Sequence, residues 1–316
     1  MAGRAPSASP KGVPLSSSRT FAVVVTRLRA AGCVFAEDEA RLLIAATTTL
    51  AELDTLVGQR AAGLPLEHLV GWAEFRGLRI EVDPGVFVPR RRTEFLAHHA
   101  IALTEPGSVV LDLCCGSGAV GAALFAAVAG IEVHAADIDP AAVRCARRNT
   151  AGQVYGGDLF DPLPATLRGR ITVLVANTPY VPTGAIALMP PEARVHEPRI
   201  ALDGGADGLD VQRRVAVEAP RWLAPGGHLL VETSDFQAPT TADFFARNGL
   251  APRVITSDDL GATIVIGTKS PRSIHRLDGD AHPHWLTVTS SPIDTLPGRT
   301  TANLVPNATP PSGARR

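Results

Sequence analysis

Hydrophobic residues recur at two different spacings along this chain, and the spacing changes near residue 75. From Phe21 to about Leu69 the apolar positions fall at helical intervals, as in FAVVVTRLRAAG and AEDEARLLIAAT; the second segment opens with the acidic residues that a helix N-terminus favours. The next segment, FRGLRIEVDPGVFVP, alternates apolar and polar residues and contains the turn signal Pro84-Gly85. The N-terminal part therefore predicts a small helical domain followed by a β-hairpin.

From Ser108 onward, short apolar runs alternate with segments of helical period. The strand-like runs are SVVLDL, IEVHAAD, a weaker one near Gln153–Tyr155, ITVLVAN, HLLVET, PRVITS and ATIVIGT. The helical segments include AVGAALFAAVA, PAAVRCARRN and GLDVQRRVAVEAPRWL. This alternation predicts an α/β fold with a mostly parallel, doubly wound sheet that helices cover on both faces. Ligands of such sheets bind beyond the carboxyl ends of the strands, so functional residues are expected there.

The two ends of the chain have no such periodicity. Residues 1–18, rich in Ser, Pro and Ala, predict a disordered arm, and residues 270–316, rich in Pro, Ser and Thr, a disordered tail. Between them the pattern predicts a helical domain at 19–74, a hairpin linker at 75–90 and an α/β domain at 91–269.

Composition narrows the class of protein. With 316 residues, 45% of them hydrophobic and 19% charged, the chain is long and apolar enough for one large or two modest globular domains. The formal net charge is −1, which argues against a nucleic acid as the direct substrate. The four cysteines form no CxxC pair or disulfide-like framework, and no run resembles a signal peptide or a membrane span. We therefore expect a cytoplasmic protein without a membrane association.

A glycine-rich loop follows the first strand of the α/β domain. Residues 116–121, GSGAVG, match GxGxxG, and Asp137 ends the next strand, as in dinucleotide-binding folds. However, Asp112 ends the strand here, and two cysteines precede the first glycine. This layout resembles the D-x-G-x-G-x-G loop of class I S-adenosylmethionine (AdoMet) methyltransferases, with Cys114 in place of the first glycine. The resemblance implies AdoMet as cofactor and assigns to it the loop residues Asp112, Cys114, Cys115, Gly116, Ser117 and Gly118.

Further candidate contacts to this cofactor lie at the ends of the following strands. Asp137 can accept hydrogen bonds from both ribose hydroxyls, whereas Asp139 precedes Pro140 and is the natural N-cap of the next helix. Asp158 stands where methyltransferases of this class often accept the adenine amino group, and Leu159 and Phe160 would pack on the adenine ring.

The adjacent cysteines raise the question of a nucleophile or a metal site. No partner histidine lies in register with Cys114 and Cys115, and neighbouring cysteines are poorly placed to chelate one ion. We assign both to packing in the loop and predict no metal.

The segment VLVANTPYVPT places Asn177, Thr178, Pro179 and Tyr180 directly after a buried strand. These four residues resemble the NPPY motif of methyltransferases that act on planar nitrogen. Such a nitrogen is a poor nucleophile because its lone pair is delocalised, and two acceptors for its N–H groups favour a localised lone pair. The Asn177 side-chain oxygen and the carbonyl of residue 178 would be these acceptors, and the Tyr180 ring would stack on the substrate. Asn177 is also assigned to the cofactor side of the site.

The flanking segments resemble the protein-glutamine N5-methyltransferases, which modify the GGQ glutamine of peptide-chain release factors. The resemblance runs from about residue 20 to 269 through EFRGL…VPR…TE, the glycine loop, NTPY, HEPRIALDGGADGLD and WLAPGGHLLVET. It implies a seven-stranded class I methyltransferase domain at 91–269, AdoMet-dependent methylation of a protein glutamine, a release factor as partner, and substrate contacts from the N-terminal helices.

Departures from the family pattern concern the substrate side. Thr178 replaces a proline, and where the family reads PRPETE or PRPDTE this chain has three successive arginines, Arg90, Arg91 and Arg92. They would either face phosphate or form a solvated basic turn. These departures suggest a divergent branch of the family.

Three alternatives remain open from the sequence. N6-adenine methylation of a nucleic acid would use the same acceptors, although no nucleic-acid module is recognisable. A nicotinamide-dependent dehydrogenase would explain GxGxxG and give Asn177 no role. A non-catalytic AdoMet-binding regulator would accommodate Thr178 and Cys114.

Overall fold

The computed structural model describes residue 15, residues 17–271 and residues 287–289. The predicted disordered arm and tail therefore lie largely outside the described residues. Residues 287–289, inside the predicted tail, form a short strand.

Four helices form the described N-terminal part of the chain, and the first strand begins within the range predicted as helical, at Trp72. The helices are α1 (Ser18–Ala30), α2 (Ala36–Ala45), α3 (Leu50–Ala61) and α4 (Leu66–Val70). α1 begins after Ser17, whose side chain accepts from the Thr20 amide, and α3 begins with a capping box between Thr49 and Glu52. The apolar faces of the helices share a core of their own around Leu28, fully buried in this domain.

The hairpin is present, but the predicted turn is wrong. β1 (Trp72–Phe75) pairs antiparallel with β2 (Leu78–Glu81), and the two-residue connection is Arg76-Gly77, both with positive φ. Such a connection suits the twist of a two-residue hairpin. Pro84-Gly85 instead follows β2, so it ends the hairpin rather than joining its strands. Arg76 at φ 50° concealed the true turn, because arginine is not a turn signal.

The larger sheet carries the functional residues. Its strands are β3 (Val109–Leu113), β4 (Glu132–Asp137), β5 (Gln153–Gly156), β6 (Ile171–Ala176), β7 (Leu223–Thr233), β8 (Leu250–Ser257), β9 (Ala262–Lys269) and β10 (Thr287–Thr289). The spatial order is β10-β8-β9-β7-β6-β3-β4-β5. β3 to β7 run parallel, and β9 is antiparallel to both of its neighbours. The expected seven-stranded, mostly parallel sheet is confirmed, with β10 as an added edge strand.

Helices cover both faces of the sheet, as expected for a doubly wound fold. They are α5 (Thr93–Ala102), α6 (Ala119–Ala127), α7 (Pro140–Asn149), α8 (Pro191–His196), α9 (Asp210–Trp222) and α10 (Ala238–Arg247). α9 and α10 pack on one apolar layer of the sheet, and α5 and α6 on the other. β3 is buried along its whole length, which explains its continuous apolar pattern. In the described part of the chain, no helix is long and apolar enough to span a bilayer.

Candidate active site

A cavity of about 290 Å³ opens at the carboxyl ends of the parallel strands. β3 lies between β4 and β6, and β6 lies between β3 and β7, so residues that follow these four strands meet at one edge. The predicted site residues that line the cavity are Asp112, Cys114, Cys115, Gly116, Ser117, Asp137, Asp158, Leu159, Asn177, Thr178, Pro179 and Tyr180. The structure thus brings together twelve of the fourteen residues expected from the sequence. The exceptions are Gly118 and Phe160.

Gly118 serves the packing of two helices and lies outside the cavity lining. It is the N-cap of α6 with φ 80°, and a Cβ there would stand 2.6 Å from Thr150 Oγ1 and 3.1 Å from Ala146 Cβ. Its lack of a side chain therefore lets the start of α6 approach α7. Cys114 and Gly116 both have positive φ, 56° and 54°, so the loop holds a cysteine in a conformation that usually favours glycine.

Two carboxylates fix the glycine-rich loop through hydrogen bonds to its main chain and to the helix that follows. Asp112 Oδ2 accepts from the Gly121 amide at 2.8 Å, and Asp137 Oδ2 accepts from the Gly116 amide at 2.8 Å. Asp137 Oδ1 also accepts from the Asp139 amide. Asp139 itself caps α7 through the Ala141 amide, as its position before Pro140 predicted. The Gly116 amide in the loop and the Gly121 amide in the first turn of α6, groups of the kind that bind a pyrophosphate, are therefore already bonded to protein carboxylates.

Burial raises the pKa of three side chains at the glycine-rich loop, so they keep their protons to higher pH. It raises the pKa of Asp112 to about 7 from a usual 3.8, with a further contribution from the nearby Asp137 charge. Burial likewise raises the pKa of the Cys114 and Cys115 thiols well above their usual range. Both thiols are consequently protonated at neutral pH, which fits packing and disfavours a nucleophile. The described residues contain no group of three or more His, Cys, Asp or Glu side chains that could hold a metal.

The raised pKa of Asp112 predicts a pH dependence of stability. The unfolded chain loses this proton above about pH 3.8, whereas the folded protein keeps it until about pH 7. The free energy of unfolding of the free protein should therefore fall by up to about 4 kcal/mol between these pH values. Asp112→Asn keeps an acceptor for the Gly121 amide and should lack this part of the decline. Urea denaturation at pH 5 and pH 8 measures it, and parallel pH profiles of the two proteins would contradict the expectation.

The far end of the cavity is more open. Asp158 lines it and accepts from Arg214 Nη2 at 2.6 Å in a partly exposed ion pair. Leu159, at φ 47°, also lines it. The expectation for Phe160 is wrong, because its ring is buried and stacks on Trp222 with the ring centroids 5.6 Å apart. Adjacent residues of this turn face opposite directions, so only one of the two reaches the cavity.

Asn177 stands directly beyond β6 with its amide fixed by a neighbouring helix. Its Nδ2 donates to Thr93 Oγ1 at 3.3 Å, and Thr93, buried at the start of α5, also lines the cavity. Because the NH₂ group is engaged in this way, Asn177 Oδ1 is left as an acceptor. Thr178 is buried, and its hydroxyl has no hydrogen-bond partner among the described residues. The threonine thus supplies the main-chain carbonyl that the motif needs, and its hydroxyl adds no hydrogen bond among the described residues.

A variant of Thr93 tests this orientation. Thr93→Val is nearly isosteric but cannot accept from Asn177 Nδ2, so the amide loses its fixed direction. We expect kcat to fall about tenfold, which corresponds to one lost hydrogen bond of about 1.4 kcal/mol. Thr93→Ser keeps the hydroxyl and should retain most of the activity. Equal kcat for the valine and serine variants, measured at saturating substrates, would show that Thr93 does not orient Asn177.

The loop of Asn177 to Tyr180 is supported by the segment HEPRIALDGGADGLD. Val181 exchanges main-chain hydrogen bonds with Leu202 and Gly204, and Gln237 Nε2 donates to the Tyr180 carbonyl at 3.0 Å. Gly208, at φ 80°, approaches this carbonyl so closely that a Cβ would lie 2.3 Å from the oxygen. The glycines of this segment therefore permit the close contact that positions Tyr180.

The substrate side of the cavity contains three further polar residues, Glu232, Arg92 and Thr93, which were not identified as site residues from the sequence. Tyr180 Oη donates to Glu232 Oε1 at 2.8 Å, Arg92 Nε donates to the same oxygen at 3.0 Å, and the Arg92 guanidinium lies over the Tyr180 ring, 5.8 Å from its centroid. Burial, together with the Glu232 charge, raises the pKa of Tyr180 above its usual range, so the phenol stays a donor. The third residue, Thr93, accepts a hydrogen bond from Asn177 Nδ2.

The arginine run divides among three roles. Arg90 Nη2 bonds both oxygens of the buried Glu197 at 2.7 and 2.6 Å, and Arg92 bonds the buried Glu232. Arg91 is exposed. A solvated turn thus describes Arg91 alone, whereas Arg90 has a structural role through Glu197 and Arg92 belongs to the site.

Comparisons with known proteins agree with this geometry. The sequence profile described as "Methyltransferase small domain" matches residues 77–189. A release factor glutamine methyltransferase of Geobacter sulfurreducens is 37% identical over 223 residues, 69% of this chain and 78% of that protein. One of Mycolicibacterium smegmatis is 41% identical over 216 residues, 67% and 76% of the two chains. A 4-amino-L-phenylalanine/4-methylamino-L-phenylalanine methyltransferase of Streptomyces pristinaespiralis is 36% identical over 203 residues, 61% and 69% of the chains.

The doubly wound sheet, the glycine loop and the Asn-x-Pro-Tyr corner define a class I methyltransferase. Within that class, the identity to relatives over more than three quarters of their length is decisive. The chain belongs to the release factor glutamine methyltransferase family.

Proposed function

We propose that this chain methylates the side-chain amide nitrogen of a glutamine in a protein, a peptide-chain release factor, with AdoMet as methyl donor. The observation that carries the proposal is the Asn177 carboxamide, which Thr93 holds at the carboxyl end of β6 in the cavity that the glycine loop also lines. Family membership supports both the reaction and the substrate. This proposal implies a cytoplasmic activity, because release factors act in translation.

The charges around the loop fit AdoMet better than a dinucleotide. The carboxylates that line this part of the cavity are Asp112, Asp137, Asp139 and Asp158. When bound, AdoMet supplies a methyl group activated by a positively charged sulfur, which acidic surroundings favour. A pyrophosphate would meet like charges and find the Gly116 and Gly121 amides already bonded. The loop residues 112–117 would hold the methionine part, Asp137 the ribose, and Asp158 and Leu159 the adenine.

On the substrate side, this chain's residues act by orientation. Asn177 Oδ1 and the Thr178 carbonyl would accept the two N–H groups of the glutamine amide, which holds the nitrogen in line and favours a localised lone pair. The Tyr180 ring, fixed at its hydroxyl by Glu232, offers a face for the planar amide. The methylated nitrogen loses its proton readily, so no strong base is required.

Features of the cavity mouth favour a protein substrate. Leu188, Val195 and Ile200 are large apolar residues that are exposed on the segment beside the cavity, where a protein substrate could cover them. The buried Arg60 of the helical domain bonds Glu39 and also Glu192 of this segment, at 2.6 Å. The helical domain is thus joined to the mouth of the cavity, where we place its contacts with the release factor.

The test is methyl transfer from labelled AdoMet to recombinant release factor, compared with the same factor lacking the GGQ glutamine. Total RNA, DNA and 4-amino-L-phenylalanine serve as competing acceptors. Label that depends on the glutamine supports the proposal. Label on another acceptor would reassign the substrate, and binding of AdoMet without transfer to any acceptor would support a non-catalytic role.

A further inference from the structure

The Arg92 side chain is held by a hydrogen bond at its Nε, and a large part of the side chain is exposed. Its Nε donates to Glu232 Oε1, and Glu232 is almost completely buried, whereas 44% of the Arg92 side chain is exposed. The guanidinium has two further nitrogens, and Arg92 lines the cavity. Glu232 and the neighbouring Tyr180 hydroxyl therefore hold the guanidinium, and its exposed part can donate hydrogen bonds to a molecule in the cavity.

Arg92 is also close to the reacting end of the cavity. It precedes Thr93, which bonds Asn177, and its guanidinium lies over the Tyr180 ring. Glu232 follows Val231, the residue that pairs with Ala176, so it stands beside Asn177 at the sheet edge. Arg92 thus brings a cation to this end of the cavity, where it is paired with the buried carboxylate of Glu232.

We propose that Arg92 is a specificity-determining residue that donates hydrogen bonds to an oxygen acceptor of the substrate, a main-chain carbonyl beside the methylated glutamine. Glu232 and Tyr180 are positioning residues for its guanidinium. This inference rests on the proposed function and adds the substrate group that Arg92 recognises.

The acceptor is a flanking carbonyl rather than the oxygen of the reacting amide. A donor on that oxygen would strengthen amide resonance and draw electron density away from the nitrogen, which opposes methyl transfer. A flanking carbonyl keeps the same strength of binding before and during the reaction. Its loss should therefore raise KM and leave kcat nearly unchanged.

The experiment measures kcat and KM for the release factor, the Kd for AdoMet and thermal stability. For Arg92→Gln we expect KM to rise about tenfold to a hundredfold, as for a lost hydrogen bond from a charged donor, with kcat and the AdoMet Kd within about threefold. Arg170→Gln, in the exposed Arg170–Glu132 pair, is the matched control and should leave KM unchanged.

Arg92→Gln alone leaves Glu232 buried without its cation, which can destabilise the fold. The double variant Arg92→Gln/Glu232→Gln removes both charges and keeps the shape of the Glu232 side chain. A raised KM in a double variant of wild-type stability supports recognition by Arg92. A KM within twofold of wild type, or losses shared equally by kcat and the AdoMet Kd, would overturn the inference while the proposed function stands.

Experiments with free amino acids distinguish a main-chain carbonyl from a carboxylate as the oxygen that Arg92 binds. Wild-type enzyme offered L-glutamine or 4-amino-L-phenylalanine should transfer no methyl group. Transfer that Arg92→Gln abolishes would identify a carboxylate as the acceptor and overturn the main-chain assignment. If wild-type enzyme fails to methylate the release factor, the proposed function and this inference fail together.

Discussion

Replacement of Asn177 by alanine is expected to lower kcat for methyl transfer by about 10²- to 10³-fold, the range found when one transition-state hydrogen bond is removed from an active site. The Asn177 oxygen is the acceptor that the Thr93 contact leaves free, and its hydrogen bond matters most when the amide nitrogen gives up its resonance. The Kd for AdoMet should change much less, because the loop and Asp137 are untouched. Single-turnover methylation and calorimetric titration of AdoMet measure the two quantities separately.

Two further variants make this prediction specific. Asn177→Asp keeps acceptor oxygens that the Thr93 hydroxyl can bond, so its kcat should fall far less than that of the alanine variant. Asn248→Ala removes an asparagine whose side chain, among the described residues, bonds its own helix end at the Phe244 carbonyl, and it should behave as wild type. Activity of Asn177→Ala within threefold of wild type would exclude Asn177 as the substrate acceptor. A large loss of AdoMet affinity would move its role to the cofactor.

Residues at strand ends were predictable because parallel strands deliver them to one edge. Asp112, Asp137 and Asn177 each follow an apolar run, and the structure places all three at the cavity. Glu232 obeys the same rule in HLLVET and was overlooked because it belongs to no short motif. The position beside Asn177 depends on the pairing of Ala176 with Val231, which the sequence does not specify.

Other site residues could not be predicted from sequence patterns, because their contacts join distant parts of the chain. Thr93 opens a helix that precedes β3 in the chain, and its contact with Asn177 spans 84 residues. The pairing of Arg92 with Glu232 spans 140 residues, so the run of arginines could only be interpreted as a local feature. The Phe160 error has the opposite cause: its neighbour Leu159 takes a positive φ that no leucine predicts, and this turns the ring into the core.

The second large effect is expected for Asp137→Ala, which should weaken AdoMet binding by about 10²-fold. In the free protein each Asp137 oxygen accepts one main-chain amide, so each keeps a lone pair for a ribose hydroxyl. Loss of hydrogen bonds to a charged acceptor corresponds to about 1.5–3 kcal/mol, and the Gly116 amide also loses its partner. Titration calorimetry with AdoMet measures the affinity, and denaturation of the free protein measures the stability.

Asp139→Ala is the matched comparison because it removes a carboxylate two residues away with a different role. It deletes the cap of α7, so we expect a loss of about 1 kcal/mol in the free energy of unfolding with little change in AdoMet affinity. Asp137→Ala should instead lower the AdoMet affinity strongly and the free energy of unfolding only a little. The reason is that it removes a buried carboxyl group whose pKa burial has raised. If Asp139→Ala lost the affinity and Asp137→Ala kept it, the ribose contact would belong to Asp139, and Asp137 would serve only to hold the glycine loop.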